Sequence, residues 1–274
     1  MKKLLFTALL IITSVCVAFG QVDSKNLLIG TNSFVTEESA DWKIYDGAFT
    51  SVDPMSEEYT FVGGFVIKGL VGLSRYDFIC TVKNEGNDFS VSISNLETYA
   101  CDKNGKIIKS GTVLKSSARV ASQYAAQMKT EIQNRMNNIS DTETMYTKVV
   151  TSPNLLNTIS NTMTELAFKK FVEANVNGKP VELTVKLRSI DENRNPITNE
   201  LYPLNYKVSG SVQVYAGSWG RLSVTESFSV SVYSNNDKLL SAKTGSEYAA
   251  KGTLSYRQIG SGLTKLWIYE INEE

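Results

Sequence analysis

Two cysteines stand in the stretch "DFICTVKNEGNDFSVSISNLETYAC", and they are the residues whose chemistry is easiest to name. Cys80 and Cys101 could bind a metal, act as a redox pair or form a structural disulfide. A metal site needs more ligands, and a redox pair usually has the close spacing Cys-x-x-Cys, whereas these cysteines lie 21 residues apart. We therefore expect a disulfide, with two buried free thiols as the alternative.

The chain contains no histidine, which narrows its chemistry further. Ser-His-Asp triads, Cys-His dyads and histidine-ligated metal sites are excluded. Adjacent carboxylates occur at Glu57-Glu58 and Asp191-Glu192, and Ser241 lies in the short motif "SAK". These residues lie in loop-like sequence or at the edge of a short helix, where a solvated role is usual. We expect no enzyme activity, no cofactor and no metal, with a carboxylate-dependent hydrolase as one alternative.

The first residues of the chain have the pattern of a secretory signal peptide. Two lysines precede an apolar run from Leu4 to Val17, which is too short to cross a bilayer as a helix. Small residues follow, so that cleavage between Gly20 and Gln21 is predicted and residues 1–20 would be removed. The alternative is a lipoprotein anchored through Cys16.

Cleavage would leave 26 basic and 28 acidic residues in a periplasmic or secreted protein. Such a nearly neutral chain has no global electrostatic reason to bind nucleic acid or anionic lipid. No later segment is apolar enough to predict a membrane-spanning helix. We expect an unknown envelope protein or a glycan as the partner, and we regard nucleic acid as a poor candidate.

The elements that must position these residues begin after a polar start. Residues 21–40 are predicted to be flexible, and residues 41–115 to form strands. The pair Gly63-Gly64 indicates a bulge or a close approach of the backbone.

Alternating residues on both sides of Asn84-Glu85-Gly86-Asn87 predict a β-hairpin. With Lys83 paired to Asp88, one face is wholly apolar and Cys80 points toward the core. Asn104-Gly105 marks a second hairpin, just after Cys101.

The apolar spacing changes to three and four residues near Ser116, which predicts helices over 116–175. The first carries Tyr124 and Met128 on its apolar stripe. A second is predicted to begin at Ser140, and a third to begin at Ser152-Pro153 and run to about Asn175.

Period-two alternation returns over residues 176–274. It predicts five strands, at about 181–188, 205–215, 222–233, 247–256 and 263–271. A short helical turn, with Leu239 and Leu240 pointing inward, is predicted between the third and fourth strands.

The sequence of this last part resembles the OB-fold of small bacterial domains. The stretches that carry the resemblance are "VNGKPVELTVKLRSI" and the later "FSVSVYSNNDKLLSAKTGSEYAAKGTLSYRQIG". Gly245-Ser246 and Gly252 take the places of glycines in that pattern. The resemblance implies a five-stranded β-barrel that binds oligosaccharide or nucleic acid on its second and third strands. The basic and aromatic residues expected near that face are Lys186, Arg188, Lys207, Tyr215, Trp219 and Tyr233.

The β-rich segment 60–115 with its following helix resembles an uncharacterised family of secreted Bacteroidetes or spirochaete proteins that have a TBP-like α+β domain. That resemblance implies an envelope location and no known activity. The whole sequence thus predicts an α+β domain over 41–175 and an OB-like β-barrel over 176–274. The expected function is non-catalytic binding or a structural role in the envelope, with the OB-type binding module as an alternative.

Overall fold

The computed structural model describes residues 21–69, 72–108, 114–115, 118–219, 222–259 and 266–273. Residues 1–20 lie outside the described residues. The predictions for Cys16 and for cleavage after Gly20 therefore concern residues that the structure does not describe. The elements, in chain order, are α1 (Ser24–Thr36), β1 (Tyr45–Asp53), β2 (Glu58–Lys68), β3 (Leu73–Asn84), β4 (Phe89–Ala100), β5 (Leu114–Lys115), α2 (Ala118–Asn137), α3 (Thr142–Val150), α4 (Pro153–Thr162), α5 (Glu165–Asn175), β6 (Pro180–Arg194), β7 (Leu201–Trp219), β8 (Leu222–Ser234), a 3₁₀ helix (Asp237–Ser241), β9 (Glu247–Ile259) and β10 (Leu266–Asn272).

The N-terminal sheet is antiparallel and consists of four long strands and the two-residue β5, in the order β1-β2-β3-β4-β5. Its apolar face is buried against the helices, because alternate residues of each strand point the same way. Together with the helices and a five-stranded C-terminal sheet, it confirms the predicted α+β class and the order of its parts.

The hairpin of β3 and β4 is present, but its predicted register is wrong by two residues. Lys83 pairs with Ser90, not with Asp88, because the turn begins later and Asn84 already pairs with Phe89. The Asn84 side chain accepts a hydrogen bond from the Gly86 N–H at 2.9 Å, which holds this turn. A shift of two keeps every side chain on its expected face, so Cys80 is buried as predicted.

The predicted disulfide between Cys80 and Cys101 is wrong, and both are buried free cysteines. The Cys101 N–H donates to the Leu73 carbonyl at 3.2 Å, so Cys101 lies beside the start of β3. Cys80 lies seven residues further along that strand, which is roughly 23 Å at the rise of an extended chain. A disulfide requires Cα atoms within about 7 Å of each other. The alternative of two buried thiols describes the structure.

The predicted flexible start over residues 21–40 is also wrong, because it contains α1. The Asp23 side chain accepts hydrogen bonds from the Lys25 and Asn26 N–H groups and so caps the helix. Leu27, Leu28 and Phe34 are each at most 1% exposed. The burial of this apolar stripe against α2 and the sheet outweighs the polar composition of the segment.

The other helices follow the predicted pattern with two corrections. α3 is capped by Asp141, not by Ser140. The predicted third helix is two helices, because the chain is extended at Met163 and the Thr164 hydroxyl then accepts a hydrogen bond from the Ala167 N–H to cap α5.

All five strands of the C-terminal sheet form, and β9 and β10 are antiparallel while β8 and β10 are parallel. Neighbouring strands pair in the order β10-β8-β7-β6-β9. The 3₁₀ helix lies between the third and fourth strands as expected. Leu239 is buried, but Leu240 is 68% exposed, which corrects its predicted inward position.

Helix α4 lies between β1, an edge strand of the N-terminal sheet, and β7 of the C-terminal sheet. The Val52 N–H of β1 donates to the Thr162 hydroxyl at 3.3 Å. On the other side, Asn154 accepts from the Tyr215 N–H of β7 at 2.9 Å, and Asn157 donates to the Tyr215 carbonyl at 3.4 Å. Side chains of one helix therefore satisfy backbone groups of the edge strand β1 and of the part of β7 that lies beyond its pairing with β6, which reaches Ser211.

Candidate functional site

Four of the residues predicted for the OB face lie on the outer side of β6, β7 and β8. Lys207 and Tyr233 pair across β7 and β8, and the Lys207 Nζ lies 5.9 Å from the centroid of the Tyr233 ring. Lys186 pairs with Ser211, and Arg188 donates to the Ser227 hydroxyl across the same face. The structure therefore brings three cations and one aromatic ring to one surface.

Tyr215 does not join this surface, because α4 covers it. Its backbone is hydrogen-bonded by α4, and its hydroxyl is the one buried side-chain polar atom without a hydrogen-bond partner among the described residues. Trp219 ends β7, and its side chain lies outside what the structure describes.

Tyr233 takes part in a hydrogen-bonded network on the strands of the C-terminal sheet. Its hydroxyl donates to Glu270 at 3.1 Å, and the same carboxylate accepts from Arg257 Nε at 2.9 Å. Glu270 is only 7% exposed. Burial and the Glu270 charge raise the pKa of Tyr233 to about 12. This network ties β8, β9 and β10 together, so the phenol of Tyr233 already has a structural partner.

The carboxylates singled out in the sequence are engaged in local contacts. Glu57 accepts hydrogen bonds from Ser24 and Asn84, and Glu58 forms an ion pair with Lys83. Ser189 donates to Asp191, and Glu192 pairs with Arg194. The Ser241 hydroxyl donates to the Lys238 carbonyl. The structure does not bring these groups together into one cleft.

A concave site with a volume of about 560 Å³ lies elsewhere, between residues 39–45, the end of β2 and helix α2. We call it the aromatic groove. Its lining combines rings with polar side chains: Ser39, Asp41, Trp42, Lys43, Tyr45, Phe65, Ile67, Tyr124, Gln127, Thr130, Glu131 and Asn134. Sequence analysis missed it, since Tyr124 was interpreted as a residue of the apolar stripe of its helix.

The floor of the aromatic groove is a set of mutually packed rings. Phe65 is 4% exposed, and its centroid lies 5.1 Å from that of Trp42 and 4.8 Å from that of Tyr124, both edge-to-face. Tyr76 stacks on Phe65 at 5.4 Å with an interplanar angle of 6°. Such contacts stabilise ring orientations, so the floor is preorganised. Burial and the neighbouring Tyr76 raise the pKa of Tyr124, which keeps its phenol neutral.

One wall of the aromatic groove is a face of α2. Tyr124, Gln127, Glu131 and Asn134 recur at three and four residues and therefore lie along one side of the helix. At 1.5 Å per residue, this wall is roughly 15 Å long.

The opposite wall is residues 39–45, and glycines let it lie close to the sheet. A Cβ at Gly47 or Gly63 would meet Ile44 Cγ2 at 2.7 or 2.6 Å. The side chain of Ile44 thus packs directly on the backbone. The predicted close approach at Gly63-Gly64 is confirmed. Within this wall, the backbone N–H of Trp42 donates to the Ser39 hydroxyl at 3.1 Å, which holds the backbone that carries the indole.

The charges at the aromatic groove are mostly paired. Lys43 is bonded to Glu38, and its Nζ lies 5.3 Å from the centroid of the Tyr45 ring. Glu131 accepts from Arg135 Nε at 3.2 Å. Asp41 is exposed, and among the described residues it has no ion pair.

The described ranges of the chain contain no group of three or more His, Cys, Asp or Glu side chains arranged to hold a metal ion. Their helices are all too short or too polar to cross a membrane.

No protein-family model matches the chain, and no curated protein matches it significantly.

Proposed function

We propose that the protein is a non-catalytic binding protein of the bacterial envelope and that the aromatic groove is its ligand site. The observation that carries this proposal is the combination of a packed aromatic floor with amide, hydroxyl and carboxylate side chains in one cavity. Small-molecule sites have this composition, and their volumes are about 300–1,000 Å³. The signal-peptide pattern of residues 1–20 supports the envelope location.

A ligand screen tests this proposal. Purified protein beginning at Gln21 is screened by thermal shift against a chemically diverse library, and hits are repeated on two variants. Gln127→Trp fills the aromatic groove from an exposed position of α2. Gln123→Trp adds the same ring at an exposed position that does not line the groove.

A true groove ligand stabilises the wild type and Gln123→Trp but not Gln127→Trp. At a concentration 100-fold above Kd, the expected stabilisation is about 2.7 kcal/mol. Hits that stabilise both variants equally would place ligand binding outside the groove and would refute the proposal.

A second candidate function belongs to the C-terminal sheet, which we propose is an OB-type barrel. The support is the ring of pairings, the parallel contact of β8 with β10, and the 3₁₀ helix between the third and fourth strands. In an OB-fold the face of the second and third strands binds oligosaccharide or nucleic acid. Lys207 and Tyr233 lie on the corresponding strands here, with Lys186 and Arg188 beside them.

The contact of α4 with Tyr215 limits this second candidate to the part of the face that α4 leaves free. Binding of single strands or glycans that weakens with salt and is lost on Lys207→Ala would favour it. Unchanged binding in that variant would argue against it.

A further inference from the structure

We propose that the aromatic groove selects a ligand that carries an organic ammonium group. This inference rests on the proposed function, because it names the class of ligand for the same site. It follows from the rings, from the net charge around them and from the way the chain's own cations are arranged.

The rings around the groove already attract cations of the chain. Lys43 and Arg75 lie 5.3 and 6.0 Å from the centroid of the Tyr45 ring. Arg135 lies 5.9 Å from that of Phe34, which contacts Trp42 edge-to-face. An aromatic face attracts a cation through its quadrupole, and more strongly where water is excluded. The rings in this region are therefore oriented toward positive charge.

Each of these cations is paired with one or two carboxylates of the chain. The carboxylates outnumber the cations, so the surroundings of the groove carry a net negative charge. Arg75 is bonded to Asp46 at 2.9 Å and to Asp77 at 2.5 Å. Lys43 is paired with Glu38, and Arg135 with Glu131 and Glu37.

Counted over the groove and these neighbours, three cations are outnumbered by six carboxylates, which are those of Glu37, Glu38, Asp41, Asp46, Asp77 and Glu131. The excess is three negative charges, and of these six described carboxylates the exposed one of Asp41 is the one without an ion pair. A ligand ammonium would contact the rings and balance this charge, whereas an anion would be repelled.

The test is an NMR titration of the full mature chain with choline and with its neutral isostere 3,3-dimethylbutan-1-ol. The indole N–H signal of Trp42, assigned with Trp42→Phe, reports on the groove. We expect choline to shift this signal with an affinity roughly 3- to 30-fold higher than that of the isostere.

Two variants separate the groove charge from general electrostatics. Asp41→Asn removes the unpaired carboxylate and is expected to weaken choline binding about 3-fold and to reduce its salt dependence. Glu173→Gln neutralises an exposed carboxylate on α5 and should leave choline binding unchanged.

The outcomes distinguish this inference from the function on which it rests. Equal affinity for choline and the isostere, or binding of the isostere alone, overturns the ammonium class while the groove remains a binding site. No shift with either probe also overturns it, and the Gln127→Trp screen then decides whether the groove binds anything else. Loss of choline binding in Glu173→Gln would place the site elsewhere and overturn the assignment.

Discussion

At the scale of single residues, Gly64 shows how tightly side chains pack on the N-terminal sheet. A Cβ at this position would overlap the Asp77 carboxylate and the Arg75 guanidinium, which form an ion pair there. We expect Gly64→Ala to destabilise the protein by about 1–3 kcal/mol, because the buried Arg75 must move. Urea unfolding measures this difference. Gly69→Ala is the matched control, since its nearest neighbour would lie at an ordinary 3.5 Å; equal effects would contradict the prediction.

The cysteines provide a second prediction at this scale. Cys80 and Cys101 lie too far apart along β3 to be joined. Alkylation under denaturing, non-reducing conditions should therefore modify both thiols, as detected by mass spectrometry. Under native conditions Cys80 should resist alkylation, because burial raises the pKa of its thiol and excludes reagent. A peptide that contains both cysteines joined would refute the register of β3 and β4.

Two tyrosines make stability depend on pH in the alkaline range. Burial, with the nearby charges of Glu143 and Glu270, raises the pKa values of Tyr146 and Tyr233 to about 12, from an ordinary value of 10.0. The folded state thus holds these protons more tightly than the unfolded chain. The stability that they contribute is complete below pH 10 and is lost as the pH rises through about 12.

Chemical unfolding measured across this pH range checks whether the free energy of unfolding falls as the pH rises. Tyrosinate absorbance of the folded protein is the second measurement. Ionisation of all tyrosines near pH 10 in the folded protein would contradict the prediction.

At the scale of elements, α4 has the clearest role, because it covers the edge strand β1 and the part of β7 that β6 does not pair with. Asn154→Ala should leave the Tyr215 N–H without its partner and cost roughly 1–3 kcal/mol. Hydrogen exchange of the Tyr215 amide should accelerate with it. Asn161→Ala, an exposed position of the same helix with no side-chain hydrogen bond recorded, is the control. Equal exchange rates in both variants would show that α4 does not protect this part of β7.

At the scale of the whole molecule, α5 joins the helices to the C-terminal sheet. The Phe168 centroid lies 4.9 Å from that of Trp267 and 6.1 Å from that of Tyr256. The Tyr269 hydroxyl donates to the buried Thr151 carbonyl at 2.7 Å. The apolar core is therefore continuous between the two sheets.

Because of this shared core, we expect the two sheets to unfold in one cooperative transition. Phe168→Ala should lower the free energy of unfolding by about 3–5 kcal/mol for both sheets together. The indole signals of Trp42 and Trp267 report on each sheet separately. Leu166→Ala, at a 66% exposed position of the same helix, should have little effect. Separate transitions for the two indoles would contradict a shared core.

The sequence alone determined the class of the fold and the orientation of most side chains. Period-two alternation places Cys80 inward whether Lys83 pairs with Asp88 or, as observed, with Ser90, because a shift of two preserves the face. The same local physics located α2 and the five C-terminal strands. The lack of histidine restricted the chemistry without any structure.

Only the tertiary structure decided which distant residues meet. Packing against α2 and the sheet made α1 a helix despite its polar flanks. The aromatic groove unites residues 39–45, the end of β2 and a face of α2, which are far apart in sequence. Local periodicity determines which way a side chain points, whereas long-range packing determines which residues it contacts. The candidate site depends on the second of these, and for that reason the sequence alone did not reveal it.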